Sequence, residues 1–139
     1  AGYRSFHVAK CGYNVTIPEI YHVFAAHQVE WNLMGKTKAW WSVLTNLPKT
    51  AEVSDDIKEK FYASGWGGVK AVTHHEVRLH TPLAGKRVLD FGCGLGRMAF
   101  SFANDLQADV TCVDQSYHHR AIAEQEWQRR RRAGRGQFV

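Results

Sequence analysis

Along the first eighty residues, apolar positions recur at the spacing of helices, and no stretch alternates as a strand would. Thr16-Ile17-Pro18-Glu19 has the form of a capping box, with a proline in the first turn where its missing N–H costs nothing. Ile20, Phe24, Val29 and Leu33 follow close to helical spacing, and the helix is expected to end at Gly35. A second apolar element covers residues 39–47, with Trp40, Trp41, Val43, Leu44 and Leu47, and stops at Pro48. Its paired tryptophans beside aliphatic residues read as core. A third helix is expected from Ser54-Asp55-Asp56, whose carboxylates suit the positive end of a helix dipole. It runs through Ile57, Phe61 and Tyr62 to a break at Gly65-Trp66-Gly67-Gly68. A fourth covers residues 69–79 and ends before Pro82.

Beyond Pro82 the pattern changes. Residues 81–86 read as a linker, 87–91 as a short apolar strand and Gly92-Cys93-Gly94-Leu95-Gly96 as a glycine loop. Residues 97–106 read as a helix, 109–114 as a second strand and 117–132 as a second helix. Gly134-Arg135-Gly136 turns the chain, and Gln137-Phe138-Val139 opens a third strand. Strands alternating with helices predict an α/β fold with a parallel sheet and right-handed crossovers. The expected organisation is a helical lead-in or cap over residues 1–81, then the start of a Rossmann-like core over 82–139. That core holds only its first two to three strands.

A strand that feeds a glycine turn and then a helix is a ligand-binding device. Glycines allow a sharp turn and close approach, and the helix start offers unpaired N–H groups. Gly94-Leu95-Gly96-Arg97-Met98-Ala99 satisfies the loose dinucleotide pattern G-x-G-x-x-A. Two residues favour another ligand. Gly92 adds a third glycine at spacing two, and Asp90 sets a carboxylate where a pyrophosphate would otherwise approach. A carboxylate there repels a dinucleotide and suits the ammonium and sulfonium groups of S-adenosylmethionine. Asp114 ends the second strand, about 20 residues past the glycines, where an acid can accept from both ribose hydroxyls. That feature serves either nucleotide.

Val88-Leu89-Asp90-Phe91-Gly92-Cys93-Gly94-Leu95-Gly96-Arg97, with Val113-Asp114-Gln115-Ser116, resembles the first two motifs of class I S-adenosylmethionine-dependent methyltransferases. The upstream Trp40 to Thr45 and Phe61 to Gly65 also resemble the helical lead-in of some bacterial members. The resemblance implies that Gly92, Gly94 and Gly96 line the cofactor loop and that Asp90 holds the methionine end. It implies that Asp114 holds the ribose and Gln115 flanks the adenine. Cys93 sits within that loop as a small uncharged filler, since no histidine adjoins it to make a nucleophile. A class I core has seven strands, so the chain reads as a fragment of a longer protein, one that can be inactive by itself. The implied activity is methyl transfer to an unidentified acceptor, and no catalytic base is named.

Charge and cysteine content narrow the alternatives. The net charge of +5 comes from Arg129, Arg130, Arg131, Arg132 and Arg135. Apart from them the chain carries 13 basic residues, matching its 13 acidic ones, so it is a neutral protein with one basic patch. The run from Arg129 to Arg132 suits a helix C-terminus, with a weak polyanion contact as the sharper alternative. Three cysteines without C-x-x-C spacing argue against a disulfide framework and a zinc ribbon, and point to the reducing cytoplasm. His75-Glu76-Val77-Arg78-Leu79-His80 is one residue too long for a zinc motif, and no metal is expected. His118 and His119, just after Asp114, are expected on a solvated first turn, with an approach to the adenine or the acceptor as the alternative. Tyr62, Trp66 and Gly67-Gly68 suggest either a lid over the cofactor or plain packing against the sheet. No apolar run reaches the ~20 residues that cross a bilayer. A nicotinamide-dependent oxidoreductase using Gly94, Gly96 and Asp114 stays open as a second reading. A non-enzymatic nucleoside- or RNA-binding module stays open as a third.

Overall fold

The structure, a computed structural model, describes residues 16–79, 82–130 and 134–139, without the side chains of 75–79. Helix α1 (Ile17–Val43) starts with the expected capping box: Thr16 Oγ1 accepts from the Glu19 N–H, and Glu19 Oε2 accepts from the Thr16 N–H at 2.7 Å. It does not end at Gly35. The chain stays helical there because a second helix crosses at that point. A Cβ on Gly35 would lie 2.8 Å from Ser116 Oγ and 2.9 Å from His118 Cβ, so only glycine admits the approach. Tertiary packing thus overrides the weak helix propensity of glycine. The interruption falls instead at Lys38 (φ −158°, ψ 46°), and the separate element expected over residues 39–47 begins as the second leg of α1. Trp40 on that leg is 1% exposed and meets the rings of Phe61 and Tyr62 edge-on.

Helix α2 (Asp55–Ala63) is capped by Ser54, whose hydroxyl accepts from the Ile57 N–H. Helix α3 (Gly65–Leu79) starts four residues earlier than the sequence suggests and contains the glycine run. Gly65 is the contact point: a Cβ there would sit 2.1 Å from the carbonyl oxygen of Arg97, which makes the run a close-packing surface and not a break.

Strands β1 (Arg87–Phe91), β2 (Asp109–Val113) and β3 (Arg135–Phe138) form a parallel sheet in that order, with Val88 opposite Val110 and Cys112 opposite Phe138. Helices α4 (Arg97–Leu106) and α5 (Tyr117–Arg130) are the crossovers. β3 begins at Arg135, two residues before the expected strand start. Because side chains alternate along a strand, one sheet face turns Val88, Asp90, Val110, Cys112 and Phe138 toward the helices. The opposite face carries Leu89 and Phe91, which are 64% and 82% exposed.

The lead-in helices dock on the same helical layer. The core runs from Trp40, Phe61 and Tyr62 through Phe100 to Trp127 and Phe138 without interruption. Where α5 ends, Arg129 and Arg130 bind Asp55 and Glu59 of α2, and Arg130 also binds the buried Glu126 at 2.6 Å. The described half of the basic run therefore joins two helices of the protein; Arg131 and Arg132 lie outside the described residues. No helix among the described residues is long and apolar enough to cross a membrane.

Candidate cofactor site

The site grows from the end of β1. Gly92, Gly94 and Gly96 all have positive φ (78°, 55° and 74°), so the loop takes a course that residues with a side chain rarely follow. Most of its amides are spent within the protein. The N–H groups of Gly92 and Cys93 both donate to the Val113 carbonyl, at 2.7 and 3.1 Å. Gly94 N–H donates to Asp114 Oδ2 at 2.8 Å, and Gly96 N–H to the Cys93 carbonyl. Asp114 uses its other oxygen to accept from the Ser116 N–H, so one carboxylate braces both the glycine loop and the turn after β2. A carboxylate offers about four acceptor directions, which leaves two for a ligand.

A cavity of about 780 Å³ opens above this loop. Gly92, Cys93, Gly94, Asp114 and Gln115 line it together, and a Cβ on Gly92 would meet nothing within 4 Å. A volume of that size holds a nucleoside-sized molecule with room to spare. Two predicted residues are placed elsewhere. Gly96 packs against Phe100 and Ala123, and neither it nor Asp90 is among the residues that line the cavity. The Asp90 carboxyl is raised above its usual range, chiefly by burial and further by the charge of Asp114. A hydrogen bond from the Ala99 N–H, in the first turn of α4, and the nearby Arg97 oppose the rise. Asp90 thus occupies the N-terminus of α4 with a carboxyl group of the protein's own.

Several lining residues lie outside the expected set of cofactor-binding residues. α1 contributes Phe24, Trp31, Ser42 and Val43, and the start of α5 contributes His119 and Arg120. The helical period of α1 was legible, but which face would meet a segment eighty residues away was not. His119 is a correction as well: it is 1% exposed, not solvated. Ser42 Oγ donates to the Ala39 carbonyl, so His119 Nε2 at 2.7 Å must be the donor to Ser42 Oγ. Burial lowers the His119 imidazole below its usual range despite the pull of Asp114, which keeps it neutral. The suggested lid is a second correction. Tyr62 donates its hydroxyl to the Leu95 carbonyl in the core, and Trp66 lines a different cavity, against Phe100 and Arg130.

The Cys93 thiol is pushed far up by its hydrogen bond with Cys112 and by burial, so it stays protonated. Cys93 and Cys112 are free thiols. Among the described residues no three His, Cys, Asp or Glu side chains gather as metal ligands; His80 lies outside the described residues, as does the side chain of His75.

Residues 88–139 match a family model described as a methyltransferase domain. No curated protein sequence matches the chain. The structure is similar to magnesium protoporphyrin IX methyltransferase from Synechocystis PCC 6803, crystallised with bound S-adenosylhomocysteine, at 21% identity and a TM-score of 0.54. The match covers 84% of this chain and 50% of that one, so the chain spans half the length of this relative. Coclaurine N-methyltransferase bound to N-methylheliamine and S-adenosylhomocysteine also matches, at 16% identity and a TM-score of 0.40, over 92% of this chain and 40% of that one. A three-stranded parallel sheet, a glycine loop after its first strand and a helical lead-in together give the chain the Rossmann-like fold of the class I S-adenosylmethionine-dependent methyltransferases.

Proposed function

We propose that the chain belongs to an enzyme that transfers a methyl group from S-adenosylmethionine, with residues 82–139 as the start of its cofactor-binding core and the preceding helices as its lead-in. One observation supports this above the rest: the carboxyl group already present at the N-terminus of α4. A dinucleotide needs that helix start and the loop amides for its pyrophosphate. Here Asp90 holds the first, and the Gly94 amide is held by Asp114. Two carboxylates flanking a glycine loop oppose a phosphate and favour a cationic methionine end.

When bound, S-adenosylmethionine supplies an electrophilic sulfonium methyl for in-line displacement by the acceptor. The chain's own residues do the holding. Gly92 and Gly94 let the ligand come close to the backbone, and Asp114 has acceptor capacity left for ribose hydroxyls. Gln115 lies at the adenine end, and Asp90 attracts the methionine ammonium across the loop. Restricting the donor in this way converts binding into alignment, which is the main aid to a displacement reaction.

Calorimetric titration of S-adenosylhomocysteine and of NAD into the protein tests the proposal. Binding of S-adenosylhomocysteine alone, lost in Asp114→Ala, is expected. Binding of NAD alone overturns the reading in favour of an oxidoreductase.

A further inference from the structure

Helix α1 reaches over the cavity at three successive points of one face. Residues 24, 28 and 31 are four and three apart, which aligns them on a helix surface. The outer two, Phe24 and Trp31, line the cavity. The middle one fixes the register: Gln28 Nε2 donates to the carbonyl of Gln115 at 3.4 Å. The Trp31 carbonyl accepts from Ser116 Oγ at 3.0 Å, so this turn of α1 is tied to the residue after Gln115 as well. The indole of Trp31 stands edge-on to His119, with ring centroids 6.0 Å apart, and His119 is in turn bonded to Ser42. Three residues of the turn after β2 and its following helix, Gln115, Ser116 and His119, are thus contacted by α1, and two aromatic side chains are carried to the same place.

Phe24 packs against little in the structure: it is 64% exposed although it borders the largely apolar cavity. A large aromatic held at a cavity wall is a surface waiting for a flat apolar ligand. We propose that Phe24 and Trp31 form the outer wall for the adenine ring of the cofactor, closing from α1 the end of the site that Gln115 borders from the core. This assignment rests on the cofactor reading above and adds to it two binding residues from outside the glycine-loop core. Gln28 and Ser116 act on the ring only through the helix that they position.

Titrations with S-adenosylhomocysteine and with adenosine test the wall, since adenosine lacks the methionine end. Base stacking on an aromatic side chain is worth enough that Trp31→Ala and Phe24→Ala should each weaken both ligands by roughly tenfold. Trp31→Phe, which keeps an aromatic face, should restore most of the affinity. Thermal melts of each variant report folding, and Phe24→Ala decides the matter if Trp31→Ala does not fold, because the Phe24 side chain supports little of the core. Wild-type affinity for both ligands in the alanine variants overturns the proposal. So does a loss confined to S-adenosylhomocysteine, which would put the two rings at the methionine end. If the wild-type protein binds neither ligand, the cofactor reading itself fails.

Discussion

His119 Nε2 and Ser42 Oγ, 77 positions apart in the chain, are joined at 2.7 Å where the second leg of α1 meets the first turn of α5. The other ring nitrogen, Nδ1, is buried without a hydrogen-bond partner. A proton added there would bury a charge and a donor without an acceptor, a cost that the attraction of Asp114 does not offset. The folded state therefore binds this proton less readily than the unfolded chain, whose imidazole has its ordinary value of 6.5. Stability from this site is complete above that value and declines as the pH falls below it. Thermal melts at pH 7.5 and pH 5 should show the decline. His119→Gln, whose amide can donate as Nε2 does, should be less stable at pH 7.5 and should lose less between the two values.

Gly35→Ala should destabilise the protein although alanine is the better helix former. The gain in propensity is about 1 kcal/mol, whereas overpacking costs about 1–3 kcal/mol. The added methyl would press on Ser116 Oγ and His118 Cβ, neither of them the far end of a flexible chain. Denaturant titration gives the sign directly.

Arg130 and Arg129 look alike in sequence and should behave differently. Arg130 is 11% exposed at its side chain and pairs with Glu126, itself 7% exposed. Removing one partner of a buried pair costs about 3 kcal/mol or more, which Arg130→Ala should approach, with Lys58 and Arg129 as the remaining cations beside Glu126. Arg129 is 46% exposed, and Arg129→Ala should cost no more than about 1 kcal/mol. Chemical denaturation of the two variants side by side makes the comparison.

On the open face of the sheet, Phe91→Ser should change stability by only about 0.5 kcal/mol, as is usual for an exposed position. The same variant should reduce self-association measured by sedimentation, because it removes an aromatic group that is 82% exposed. Val110→Ala, on the covered face at 2% exposure, should be clearly destabilising.

The core strands and the glycine loop were legible because their signals are local. Residues 87–91 and 97–106 form their elements at the expected bounds, since a strand, a glycine turn and a helix each follow from neighbours in the chain. Gly35 and Gly65 misled for the opposite reason. Each was read for its backbone freedom, while each is set by an approach from a distant segment, α5 in one case and the start of α4 in the other. The site divides in the same way. Gly92, Gly94, Asp114 and Gln115 come from motifs that contain their own geometry. Phe24, Trp31, Ser42 and His119 come from a helix crossing that no periodicity encodes.

The bonds from Gln28 to Gln115 and from Trp31 to Ser116 span 87 and 85 positions of sequence. Closing so long a loop carries its entropic cost before the contacts repay it. The β1–α4–β2–α5 unit, built from short connections, can therefore form before α1 is seated on it. The first leg of α1, where Tyr21, Phe24, Val29 and Leu33 are exposed, is expected to open before the sheet does. Amide protons over residues 20–33 would then exchange faster than those of β2, at a rate that a nucleoside in the cavity slows.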